Sequence, residues 1–337
     1  MKKFFFLLAF VSMSVLSFGQ DNQLVWSNGR LLYGTPIESI DSLTYDEMED
    51  IDTLHLLLPR TLIKVVHDTV YIHDTVYVER DCGEDTPSAG IGFSVSVGKK
   101  VTFSKGNLQY HPANDEWRFA ENQTDYIGDA NRNCSSTYNG WLDLFGWSTS
   151  ATNFGVSTST DNADYSGSFL DWGTNKIGND APDTWRTLTS DEWEYIFYNR
   201  PKAQSLFALG SVNGVNGTII LPDNWTTPDG VSFVASTTQG LYWDGTHYYN
   251  SNGNNYSHNT YTAEQWQTME QAGAVFLPVS CCRWGTGMTD GGGGCYWSST
   301  EHDEDIAFDM DFGSDNLYPP SFDYRYMGQA VRLVKDL

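Results

Sequence analysis

The sequence predicts an α+β protein: one domain with two helices, short strands and long loops, preceded by a small β-hairpin module and a stalk. Three observations point there. Two stretches place paired capping residues before an apolar stripe. Each stretch leads into a short apolar run that ends at proline. Most of the remaining chain beyond residue 91 is Gly, Asn, Thr, Ser and aromatics, rich in turn signals.

Residues 1–19 read as an export signal. Met1-Lys2-Lys3 is basic, Phe4 to Phe18 is an apolar run, and Ser17 and Gly19 are small residues before Gln20. The run is too short to span a bilayer, and no later run is apolar enough. The expectation is an exported protein, extracellular, cell-surface or periplasmic, in a compartment where disulfides persist. No cysteine stands at the cleavage point to carry a lipid anchor. The net charge of −24 argues against nucleic acid as a partner, because phosphate binding needs clustered Lys and Arg.

Residues 20–80 form the expected hairpin module and stalk. "LVWSNGRLLYG" places Asn28-Gly29 between two apolar runs, a strong hairpin signal. "VHDTVYIHDTVY" repeats a six-residue unit. Its two His-Asp pairs, His67-Asp68 and His73-Asp74, lie ~20 Å apart in an extended strand, too far for one metal ion. A spacer strand fits better. Residues 81–90 read as a linker, and Cys82 within it offers self-association between chains.

The first helix is read in "TSDEWEYIFYNRP", where Thr189 and Glu192 form a capping box, Trp193, Ile196 and Phe197 form the buried stripe, and Pro201 ends it. The second is read in "TAEQWQTMEQAG", with Thr262 and Gln265 as the box and Gly273 as the stop. "TIILP" and "AVFLP" read as the buried strands that follow.

Within residues 91–337, "TWRTLTSDEWEYIF" resembles the helix entry of the sulfatase-modifying, formylglycine-generating-enzyme superfamily. "CYWSSTE" and "GQAVRLVKDL" are similar to signatures of FISUMP-type paralogous domains of secreted proteins. The resemblance implies a C-type-lectin-like fold for the domain. In the enzyme, two cysteines just before the terminal motif bind copper and oxidise a substrate cysteine. The matching stretch here, residues 321–334, contains no cysteine, so the resemblance points to a non-catalytic member. The Glu-Pro-Asn, Gln-Pro-Asp and Trp-Asn-Asp triplets of calcium-dependent sugar-binding lectins are also absent.

Three of five cysteines crowd into "CCRWGTGMTDGGGGC". A reactive thiol needs a neighbour that lowers its pKa, and zinc patterns space cysteines two to four apart. Disulfide staples fit better: Cys281 or Cys282 with Cys295, and Cys134 with the remaining neighbour. No cofactor is expected. Calcium remains open, its candidates being Asp303 and Asp305 in an acidic stretch that otherwise reads as a solvated strand.

Two loops have the composition of recognition surfaces, in which rigid aromatics alternate with adaptable polar groups. From the first come Tyr248, Tyr249, Asn250, Asn254 and Tyr256; from the second, Tyr318, Phe322, Asp323 and Tyr324. The expected function is binding of an extracellular glycan or protein. A structural or adhesive component assembled through its stalk is the alternative, with an enzyme third.

Overall fold

In a computed structural model the chain divides into two compact units, Met1–Thr86 and Pro87–Leu337. The structure describes residues 22–27, 30–36, 53–58 and 61–66 as backbone strands, and residues 91–250, 255–289 and 292–337 in full. In the first unit, Asn22–Ser27 pairs antiparallel with Arg30–Pro36, the two strands flanking Asn28-Gly29 in sequence. A second hairpin joins Thr53–Leu58 to Thr61–Val66 within the stretch read only as strand. The export signal, the His67–Tyr77 repeat, Cys82 and the linker lie outside the described residues.

The second unit is mixed α+β, strand-rich, with a few short helices. Its largest sheet runs Tyr242–Trp243, Tyr248–Tyr249, Asn316–Tyr324, Ile306–Phe312, Gly294–Glu301, antiparallel throughout. Neighbouring residues of a strand face opposite ways. Accordingly Tyr296 enters one apolar cluster with Met310, Phe312 and Leu317, while Trp297 enters another with Ala307, Trp147 and Leu333. A four-stranded sheet packs Phe207–Val212 between Thr260–Tyr261 and Val215–Ile220, with Val275–Pro278 outermost. The runs read as "TIILP" and "AVFLP" are thus adjacent antiparallel strands.

Both capping boxes are formed, Thr189 with Glu192 and Thr262 with Gln265. The second helix, Ala263–Gln271, ends before Gly273, whose φ of +99° suits glycine. The first departs from expectation: Ser190–Glu194 is α-helical, but Tyr195–Asn199 widens into a π turn. The amide of Arg200 reaches back five residues to Tyr195 O, because Arg200 precedes Pro201 and is held extended. Trp193, Ile196 and Phe197 are fully buried, as their spacing predicts.

The three motifs that carry the resemblance converge. Arg186 and Val334 exchange both backbone hydrogen bonds, Ser299 N donates to Leu188 O, and Trp297 N donates to Ala330 O. Arg186 also clamps Glu192 through two hydrogen bonds of 2.7 and 2.8 Å and pairs with Asp336. Helix entry, central strand and C-terminal strand are one bonded unit. The same C-terminal strand, Val334–Asp336, pairs with Lys99–Phe103, so both ends of the domain share a sheet. Among the described residues, no helix is long and apolar enough to cross a membrane.

Candidate functional site

Strand register decides which of the expected recognition residues can meet a ligand. Tyr248 pairs with Leu317 and faces inward; it is fully buried and its hydroxyl donates to Phe197 O at 3.0 Å. Tyr256 is buried in the same cluster, and Asn250 is buried with its amide on Gln239 O at 2.7 Å. These three side chains are closed in, supplying core and turn-closing contacts. Tyr249 is half-buried, edge-on to exposed Tyr242, and Asn254 lies outside the described residues.

The second expected stretch is the more open. Phe322 and Tyr324 are 57% and 49% exposed. Tyr324 stacks on Tyr326 at 5.1 Å with planes 7° apart, and Tyr326 stacks in turn on Trp284 at 6.4 Å. Trp284, 58% exposed, is the residue that reading the sequence missed. Its signal was the Gly285-Thr286-Gly287 turn beside it: Gly285 has φ +59° and closes a hairpin that thrusts the indole outward. Phe322 lies 5.0 Å from the ring of His302. Tyr318, half-buried, stacks on His247 at 4.1 Å, which is itself paired with Asp244.

On the opposite face of the sheet from Phe322 and Tyr324 lies a group of carboxylates. Asp311 pairs with Tyr318, Asp309 with Ser321 and Ala307 with Asp323, so all six share one face of the sheet. Asp309 is 2% exposed and accepts from Gln329 Nε2 at 2.6 Å. Burial pushes its carboxyl far above the ordinary range, and Asp311 and Asp323 add repulsion. Burial raises Asp311 to about 6, again with repulsion from Asp323, and burial raises Asp323 as well. The acidic strand is therefore not solvated at Asp309 and only partly so at Asp311, where its alternation suggested a solvated strand.

Asp303 and Asp305 do lie in an exposed turn. Asp303 Oδ1 accepts from the amides of Asp305 and Ile306, and its Oδ2 contacts His302. The Asp305 backbone amide is the main reason its carboxyl is held below the usual range. Its oxygens close the turn. Among the described residues, no three His, Cys, Asp or Glu side chains are grouped to hold a metal ion.

Cys282 and Cys295 form a disulfide. The second staple expected of Cys134 is not formed: its thiol is buried, 3.7 Å from Ser157 O, and burial raises its pKa. The disulfide ties the Trp284 hairpin to the sheet that carries Tyr324. Comparison with family models, curated proteins and solved structures found no match to the chain.

Proposed function

We propose that the protein is an exported ligand-binding protein with a C-type-lectin-like domain, and that the aromatic face of Phe322, Tyr324, Tyr326 and Trp284 recognises a glycan. The observation that carries the proposal is the stacked row Tyr324–Tyr326–Trp284, in which exposed Tyr324 and Trp284 flank half-buried Tyr326. Large rings left in water lose apolar burial unless a partner covers them. Their stacking fixes the rotamers in advance, so a ligand meets a preorganised surface at small entropy cost. The outer face of the Trp284 indole suits the C–H face of a pyranose, and the tyrosine hydroxyls suit its hydroxyls. Convergence of the three family-like motifs into one bonded unit supports the fold, and the lack of cysteine in residues 321–334 supports binding over catalysis.

The test is a glycan array probed with the full chain, with calcium and with chelator. Saturable binding lost in Tyr324→Ala and Trp284→Ala, but kept in Tyr242→Ala, is the expected result. Binding indifferent to Tyr324 and Trp284 overturns the assignment of the site.

A further inference from the structure

The segments that carry Tyr324 and Trp284 run beside a cleft that the rings themselves do not line. It measures about 650 Å³, with Thr160, Asp161, Asn162 and Ser166 on one wall and Glu304 and Asp305 on the other. That is within the range of sites for small ligands, about 300–1,000 Å³. At one end, Tyr324 pairs with Ile306, the residue after Asp305, and Arg325 N donates to Asp305 O at 3.0 Å. At the other end, Gly285 lies so near that a Cβ on it would stand 3.2 Å from Thr160 Cγ2. The cleft and the segments that carry the rings are therefore neighbours along the backbone.

A single buried cation holds them in register. Arg325, between Tyr324 and Tyr326, is 1% exposed, and its guanidinium lies 4.5 Å over Trp147. It donates to Tyr165 O and Gly167 O below the first wall, each at 3.4 Å, and to Asp303 O below the second. It also pairs with Glu301 at 2.7 Å. The walls of the cleft and the two tyrosines thus share one anchor, with its own charge already paired.

We propose that this cleft is a subsite of the glycan site and that it takes a sugar carrying a free amine, a hexosamine without its acetyl group. The proposal rests on the glycan reading of the aromatic face. The lining offers three carboxylates, Asp161, Glu304 and Asp305, with the hydroxyls of Thr160 and Ser166, and no lysine or arginine. An ammonium group forms ion-paired hydrogen bonds there through three donors, an acetamide offers one uncharged N–H, and an acidic sugar is repelled. The adjacent rings separate a sugar from a bare cation, because they reward a flat C–H face that a lysine side chain lacks.

The experiment is calorimetric titration of the full chain with a glucosamine hexamer and with its fully N-acetylated counterpart, at low and physiological salt. The amine form should bind roughly tenfold more tightly. The double variant Glu304→Gln/Asp305→Asn, both side chains exposed, should bring the two to parity. Asp229→Asn/Glu264→Gln, which removes the same charge elsewhere, should keep the preference. Tyr324→Ala should weaken both. Equal affinity for the two hexamers, still dependent on Tyr324, overturns the subsite while leaving the aromatic site standing. Polylysine binding as tightly as the amine hexamer, or a preference lost equally in the control variant, overturns it in favour of general attraction to an acidic surface. Silence toward both hexamers overturns the amino-sugar assignment.

Discussion

Asp311 provides a direct test of the carboxylate face. Its carboxyl is raised from an ordinary 3.8 to about 6, chiefly by burial. Its Oδ1 lies 3.7 Å from Cys295 Sγ, which as a disulfide sulfur has no proton to donate. A group whose folded pKa is raised lends stability that is complete below the unfolded pKa and is lost as pH rises through the folded one. A shift of about two units corresponds to about 3 kcal/mol lost by neutral pH, with roughly half of it lost above about pH 5. Asp309 and Asp323 shift in the same direction, so the sign is shared by the whole face. Denaturant titrations at pH values from about 5 to about 7.5 should therefore show stability rising as the solution is acidified, with Asp311→Asn flatter and more stable than the parent at the upper end. A parent protein that weakens steadily on acidification, with Asp311→Asn parallel to it, would refute the assignment of a raised pKa.

The remaining expectations concern packing. Replacing Cys282 and Cys295 by Ala opens a loop of sequence separation 13 and should cost about 3 kcal/mol, read as a lowered denaturation midpoint in non-reducing buffer. Tyr248→Ala should destabilise by about 3–5 kcal/mol, whereas Tyr324→Ala should leave the unfolding free energy within about 1 kcal/mol of the parent and act on binding. Gly173→Ala drives a Cβ into the Trp185 carbonyl, a backbone atom that cannot swing away, so the variant should unfold early or fail to accumulate; wild-type-like melting would contradict the packing described.

The helices were legible because their signals are local. A capping box needs four consecutive residues, and Thr189 with Glu192 or Thr262 with Gln265 declares itself without knowledge of the rest of the chain. Cys295 as one end of a staple was legible from loop length, yet spacing could not choose between Cys281 and Cys282. The choice depends on the hairpin Arg283–Trp284 to Gly287–Met288, which Cys282 directly precedes, and on where the strand Gly294–Glu301 lies beside it. Pro201 marked the end of the first helix, but the side-chain contacts that hold Arg200 there, to Ile196 O, Leu206 O and Asp223, were not legible.

Composition offered Phe322 and Tyr324 alongside buried Tyr248 and Tyr256, and could not tell them apart. Tyr248 and Tyr324 sit in stretches of similar make-up, but the first pairs with Leu317 above an apolar cluster and the second pairs with Ile306 at the end of the sheet. A shift of one residue in either pairing would exchange their surroundings, because strand neighbours point to opposite faces. Asp309 makes the same point for charge. By alternation it looks like Asp303 and Asp305, yet it is closed in against Gln329, a residue twenty positions away, while those two remain in an exposed turn. Register and long-range closure, carried by contacts such as Gln329 on Asp309 and Arg325 on the walls of the cleft, decide which of many Tyr and Asp residues face a ligand. The aromatic face and the buried acids are consequences of how the sheet is threaded, and substitutions that shift its register should move both together.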